Sequence, residues 1–218
     1  MRYFKIFIPL LALLFIAGCA KKETFNNTAD KVGISRVIYF PIVSLNGERY
    51  MYVAVGSAYT DPGVTAKVGD ADVPYTTNGT VDTNTPGVYT LTYTAANSDG
   101  FTSSVVRTVS VYSTDASAAA NDFSGSYARS TNGSLAVWTK VAPGVYSVFN
   151  PGGAPGTNLT AIVFNPTGNV IKMPTQLTND GNITTTSSEV YTPGNPSKYE
   201  WKMVSPGYGT QLRFFTKQ

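Results

Sequence analysis

The sequence predicts an all-β fold, on three observations. The chain of 218 residues is rich in Thr, Val, Tyr, Gly, Asn and Pro, with only 13% charged. From residue 34 onward no segment sustains a helical period of Leu, Glu, Lys or Ala, and apolar residues alternate at period two instead. Turn dipeptides (Asn-Gly, Pro-Gly, Asp-Gly) recur between the alternating runs. The Ala-rich stretch Asp115 to Ala120 is short and lies between two β-like blocks, so it reads as a linker.

Residues 1–18, MRYFKIFIPLLALLFIAG, have the layout of an export signal. Arg2 and Lys5 give a positive start, Ile6 to Ile16 is apolar apart from Pro9, and Ala17-Gly18 is a small pair. The run is shorter than the roughly 20 apolar residues of a membrane-spanning helix. Ile16-Ala17-Gly18-Cys19 resembles a bacterial lipobox. That resemblance implies lipidation of Cys19, the only cysteine of the chain, with cleavage before it and acylation of the new terminus. Each buried methylene contributes about 0.8 kcal/mol, so several acyl chains hold where one would not.

The mature chain of 200 residues would have no free thiol and no disulfide, leaving its cores to stabilise it. Removing Arg2 and Lys5 from 16 basic residues leaves 14 against 13 acidic ones. With a net charge of +1 and no basic run, there is no case for nucleic acid. Residues 19–33 read as a lipidated tether. Surface-directed lipoproteins of Bacteroidetes often carry acidic residues after the cysteine, and Lys21-Lys22-Glu23 matches that only in part. The expected location is the outer membrane, at the cell surface, with the choice of face left open by the tether.

Residues 34–113 form the first block. Arg36 to Ser44 is strand-like, with Pro41 making it an edge or a bend. Asn46-Gly47 signals a tight turn, with Glu48 to Val55 as the returning strand. Asp61-Pro62-Gly63 is a further turn: Pro presets φ and Gly accepts a positive one. After Pro86-Gly87 comes a strand from Val88 to Ala95. Its larger side chains, Tyr89, Leu91, Tyr93 and Ala95, are expected to face the core. Asp99-Gly100 turns the chain into a last strand, Phe101 to Tyr112. Short strands with turns every 8 to 12 residues or so, over about 80 residues, fit an immunoglobulin-like sandwich.

VGSAYTDPGVTA, VDTNTPGVYTLTYTA, DG and RTVSVY, in that order, look like the bacterial surface immunoglobulin-like domain of Bacteroidetes lipoproteins, as does the lead-in RVIYFPIVSLNGERYMYVAVG. The resemblance implies a spacer or adhesive module and transfers no catalytic residue. One departure is Ala95-Ala96-Asn97-Ser98, where relatives tend to have an acidic residue before the Asp-Gly turn.

Residues 114–121 link this block to a second antiparallel β domain, 122–218. Its strand candidates are 125–130, 135–141, 145–150, 160–165, 169–173, 183–187, 199–204 and 211–216. Asn132-Gly133, Pro143-Gly144, Thr167-Gly168, Asp180-Gly181 and Pro206-Gly207 separate most of them. Such spacing suggests a meander closing into a small barrel or sandwich. DFSGSYARS at its start and YEWKMVSPGYGTQLRFFTK at its end resemble the carboxy-terminal β domain of the same lipoproteins.

The chemistry available is narrow. Without histidine, and with its single cysteine lipidated, the chain lacks the usual triads, thiol mechanisms and preferred zinc ligands. No cofactor is expected. Asp61, Asp70, Asp72 and Asp82 match no calcium-loop motif, and turn-forming roles fit them better. A glycosidase needs two carboxylates at roughly 5 to 9.5 Å. The second block offers only Asp122, Asp180, Glu189 and Glu200, so the chain reads as a non-enzyme.

The aromatics are more suggestive. There are 14 tyrosines, and both tryptophans lie in the second block. Sugar sites set an aromatic face against a pyranose, with amides and carboxylates around it. The loops 150–158 and 188–201 have the Asn, Tyr and Gly content for such a rim. Candidate ligand-binding residues are Trp138, Tyr191, Tyr199, Trp201 and Tyr208. For Trp138 and Trp201, on strands, a core position is the stronger reading; Tyr191 and Tyr208 are the better candidates for exposure. The resemblance implies an accessory lipoprotein of a starch-utilisation-like system. Such a protein captures a glycan, or in some systems a peptide, for an adjacent outer-membrane importer. The alternative is an adhesive scaffold whose partner is another protein.

Overall fold

Alternating burial along many of the strands follows from the period-two pattern, and the described residues form sheets of three, four and eight strands besides one two-stranded pair. The computed structural model describes residues 31–32 and 35–218. The expected signal peptide (1–18), Cys19 and most of the tether lie outside these residues. One unit ends at Tyr39 and contains β1 (Lys31–Val32) paired antiparallel with β2 (Ser35–Arg36). Everything from Phe40 to Gln218 belongs to the second unit.

The first part of that unit is a sandwich. β3 (Ile42–Leu45), β5 (Val64–Val68) and β6 (Ala71–Asp72) form one sheet. β4 (Tyr50–Ala54), β7 (Tyr75–Asn78), β8 (Gly87–Ala96) and β9 (Thr102–Tyr112) form the other, in the order β4-β9-β8-β7. Leu91, Tyr93 and Ala95 are buried, as their alternation predicts, and Tyr89 is half-buried. Val64 of the first sheet packs with Leu91 and Tyr93 of the second.

The reading of Asn46-Gly47 as a hairpin turn is corrected. β3 pairs with β5, while β4 runs parallel to β9 in the opposite sheet, so the chain changes sheets at this corner. Arg107, fully buried on β9, is the reason. Its Nε donates to Glu48 O (3.1 Å), and its Nη2 donates to both Asn46 O (2.5 Å) and Gly63 O (3.2 Å). The same guanidinium ion-pairs with Asp61, which also accepts from the Tyr93 hydroxyl at 2.7 Å. The Asp of YTDPG and the Arg of RTVSVY are thus partners. Burial alone would raise the Asp61 pKa. Hydrogen bonds from Tyr93 and the Gly63 N–H, together with the Arg107 charge, outweigh it and hold the carboxyl below the usual range.

Past β9, one helical turn, α1 (Ala116–Ala119), occupies the expected linker. It is capped by the Asp115 carboxylate, which accepts from the Ser117 and Ala118 N–H groups. Tyr52, Val88 and Tyr112 of the sandwich pack against Val145, Ile162 and Phe164 of the part that follows.

That part is an eight-stranded antiparallel sheet curled into a barrel. Its strands are β10 (Gly125–Arg129), β11 (Leu135–Ala142), β12 (Val145–Phe149), β13 (Thr160–Phe164), β14 (Gln176–Leu177), β15 (Ile183–Thr192), β16 (Lys198–Val204) and β17 (Leu212–Lys217). Two four-stranded meanders meet where β10 pairs with β17, giving the order β13-β12-β11-β10-β17-β16-β15-β14. The expected strand 169–173 does not form; it contributes one bridge, Lys172 to Phe164.

The seam between β13 and β14 is closed mainly by side chains. The Gln176 amide takes both the N–H and the C=O of Ile162, each at 2.8 Å. Asn179 Oδ1 accepts from Thr160 N–H (2.8 Å), and two backbone bonds tie Phe164 to Lys172. Alternate residues of β13 therefore find partners without a continuous ladder, which meets the demand that buried backbone groups be paired. Phe123, Tyr127, Trp138, Tyr146, Leu159, Tyr199, Trp201, Met203 and Phe215 are among the residues filling the interior.

Candidate functional site

The antiparallel register places the loops at two ends. One end holds 130–134, 150–159 and 205–211. The other holds 121–124, 165–170, 193–197 and the carboxy terminus. The two ends differ in what their polar groups face.

The first end is plugged. Pro151, Gly152 and Gly153 are buried, and donors from the barrel take up their carbonyls. Trp201 Nε1 donates to Pro151 O (3.0 Å) and Arg213 to Gly152 O (2.7 Å). Arg129 (3.3 Å) and the Asn132 amide (3.1 Å) both donate to Gly153 O. Arg213 also donates to Tyr208 O at 2.5 Å, with its guanidinium 5.2 Å from the centre of the Tyr208 ring. Burial, then the neighbouring Arg129 charge, push the Arg213 pKa below its ordinary value. Residue 152 has to be glycine: a Cβ there would lie 2.0 Å from the Tyr208 ring.

The second end is an open groove of about 520 Å³. It is lined by Asp122, Asn169, Tyr191, Asn195, Ser197 and Lys217, with Phe123 and Gln218 beside them. Tyr191, half-buried, stacks on buried Phe123 with ring centres 3.9 Å apart. Its hydroxyl lies 3.4 Å from that of Tyr127. The Ser124 hydroxyl and N–H, then Lys140 and Lys217, hold Asp122 below the usual carboxylate range. Among the described residues, no hydrogen bond engages the side chains of Asn169 or Asn195. Gly125, at φ +133°, leaves room for Lys217, whose Cε would lie 2.8 Å from a Cβ there. An aromatic ring, two amides, a carboxylate and an ammonium group around one depression can hydrogen-bond a polyhydroxylated ligand while covering its apolar face.

The five aromatic candidates separate accordingly. Trp138, Tyr199 and Trp201 are 2%, 2% and 0% exposed, so their rings are core and not a surface platform. Trp138 and Trp201 stack on each other at 5.7 Å, and Tyr199 stacks on Phe215 at 4.5 Å. Tyr208 covers the plug. Tyr191 alone of the five lines the open groove. Asn169 and Lys217 carried no signal in the sequence, because both reach the groove through pairings remote along the chain.

The carboxylates disperse. Asp180 accepts from Thr178 Oγ1 (2.7 Å) and Asn182 Nδ2 (3.0 Å). Glu189 pairs with Lys172 (3.1 Å) and accepts from Thr186 Oγ1 (2.8 Å). Glu200 lies on β16, opposite Val190 and Phe214. Of the acidic residues weighed for calcium, Asp61 is taken by Arg107, Asp72 lies 3.7 Å from Lys67, and Asp82 accepts from Asn84 N–H and Thr85 Oγ1.

Residues 43–111 match the family of the bacterial surface protein Ig-like domain. The match spans the sandwich from β3 to the end of β9. Among solved structures, the lipoprotein BT2262 from Bacteroides thetaiotaomicron is similar at 23% identity and a TM-score of 0.43, covering 82% of this chain and 100% of that one. No curated protein matches the chain.

Proposed function

We propose that this chain is a lipid-anchored protein of the outer membrane, displayed at the cell surface, that captures a neutral glycan without transforming it. In this reading Cys19 carries the anchor, the immunoglobulin-like sandwich is the spacer, and the open end of the barrel binds. An adjacent outer-membrane importer is the acceptor of the captured ligand. The single observation behind it is the groove at Tyr191, where polar groups of both charges and unengaged amides surround an aromatic ring. The surface Ig-like domain supports the placement. The dispersed carboxylates, each held by local donors or set on the outer wall, favour binding over hydrolysis.

The test is calorimetric titration of the mature protein with neutral oligosaccharides (maltoheptaose, xylohexaose, cellohexaose, mannohexaose) and with oligopeptides. Saturable heat with a glycan that disappears in Tyr191→Ala supports the reading. Heat with peptides only would move the ligand class, and heat unchanged in Tyr191→Ala would reject the groove. Tryptophan fluorescence is a poor reporter here, because both indoles are buried.

The scaffold reading has its own observation. Ile183, Val190, Val204 and Phe214 are 58%, 49%, 51% and 48% exposed on the outer wall of β15 to β17, a surface that a protein partner would cover.

A further inference from the structure

Phe40 and Phe101 are 55% and 41% exposed, and their rings lie against each other with centres 5.1 Å apart. Two large apolar rings left in water side by side call for an occupant. Their position in the sandwich identifies one. β9 runs from Thr102 toward Tyr112, and Tyr112 packs with Val145, Ile162 and Phe164 of the barrel. Phe101 precedes β9, so the pair lies at the opposite end of β9 from the Tyr112 contact, beyond Val106 and Thr108, which border the barrel at Ile162 and Gln176. The chain also enters this unit at Phe40, 21 residues after Cys19. The exposed rings therefore sit where the anchored segment arrives.

The pair is held in a defined geometry. Asn97, nearly buried, accepts through Oδ1 from the N–H groups of Asp99 (3.0 Å) and Phe101 (2.9 Å). Its own N–H donates to Phe101 O (2.9 Å), and its C=O accepts from Gly100 N–H (3.1 Å). The side-chain amide thus locks the turn that presents Phe101. On the other strand Pro41 turns inward while Phe40 and Ile42 (66% exposed) face out.

We propose that Phe40 and Phe101 dock the sandwich onto the lipid surface to which Cys19 is anchored. The inference rests on the lipid-anchor reading above. Exposed apolar side chains such as Phe bury into the boundary between headgroups and acyl chains, and a second weak contact beside an acyl anchor acts at high local concentration. Docking fixes the sandwich against the bilayer and points the barrel outward, so the sandwich is a foot as well as a spacer.

The absence of a free thiol in the acylated chain makes a clean test. Thr102→Cys, exposed beside Phe101, is labelled with a nitroxide in the acylated protein. The protein is then reconstituted into phosphatidylethanolamine–phosphatidylglycerol vesicles. Flotation reads the anchor, and collision of the label with oxygen and with a water-soluble nickel chelate reads docking. The expected result is co-flotation, a several-fold loss of chelate accessibility at position 102 relative to detergent, and no such loss for a label at Asn195→Cys. Phe40→Ser with Phe101→Ser should restore chelate access without reducing flotation. Flotation with full chelate access in the Thr102→Cys protein overturns the docking alone. Failure to float overturns the anchor reading and the docking with it.

Discussion

The two ends of the barrel are made from loops of much the same composition and come out opposite. Residues 150–158 and 193–197 are both rich in Pro, Gly and Asn. At one end Trp201, Arg213 and Arg129 reach up from the barrel and take the carbonyls of the loop. That loop becomes a plug. At the other end the chain surrounds a groove lined by Asn169 and Asn195, whose side-chain amides have no hydrogen-bond partner among the described residues. What separates a plug from a rim is the set of donors aimed at it from the barrel wall, not the loop's own residues.

The comparison can be broken in order of expected effect. Trp201→Ala removes a fully buried indole and the donor to Pro151 O, and should cost about 3–5 kcal/mol in urea unfolding. A loss below about 0.5 kcal/mol, the range of ordinary surface substitutions, would mean the plug is not part of the core. Arg213→Ala strips donors from Gly152 O and Tyr208 O, and should cost about 1.5–3 kcal/mol, with faster hydrogen exchange confined to 150–158.

A third measurement sets Arg213, which is held by carbonyls alone, against Arg107, which is held by the Asp61 carboxylate as well as by carbonyls. The folded pKa of Asp61 is depressed below its unfolded value near 3.9. Its contribution is therefore fully present above that value and is lost as pH falls through the folded pKa. The stability gap between the wild type and Asp61→Asn should narrow below about pH 4, where the unfolded carboxylate begins to protonate. The gap produced by Arg213→Ala should not follow the same curve. A pH-independent gap for Asp61→Asn would contradict the pairing. The smallest effect on stability is expected at the open end. Tyr191→Ala removes a stacked, half-buried ring, and should cost about 0.5–1.5 kcal/mol in stacking while abolishing ligand binding.

Much of the fold was legible because strand ends are written locally. Alternation and turn dipeptides placed six of the eight barrel strands, and β4, β8 and β9 of the sandwich, within a residue or two, since a turn such as Asn132-Gly133 needs only its own neighbours. β5, β6, β7 and β14 are missing from that reading, and β3 begins at Ile42 and not at Arg36. Asn132 Oδ1, for example, accepts from Ser134 N–H at 3.0 Å. Partnerships were less legible. Asn46-Gly47 reads as a hairpin, but Arg107, remote in sequence, holds it as a change of sheets. The seam of the barrel was invisible for the same reason. Gln176 and Asn179 replace backbone pairing with side-chain amides, and no periodicity announces that. Within the candidate site, the aromatic content of 188–201 pointed to Tyr191. Alternation puts Tyr199 and Trp201 on one face of β16, but that this face is the barrel interior is set by partners remote in sequence, Phe215 against Tyr199 and Trp138 against Trp201.

The most direct measurement is hydrogen–deuterium exchange of the mature protein with and without the mixture of neutral oligosaccharides named above. Protection confined to 191–198, 121–123 and the carboxy-terminal residues 217–218 is the expected result. Protection at 150–158 and 205–211 instead, or none at either end at saturating oligosaccharide, would contradict the assignment of the open end as the binding site.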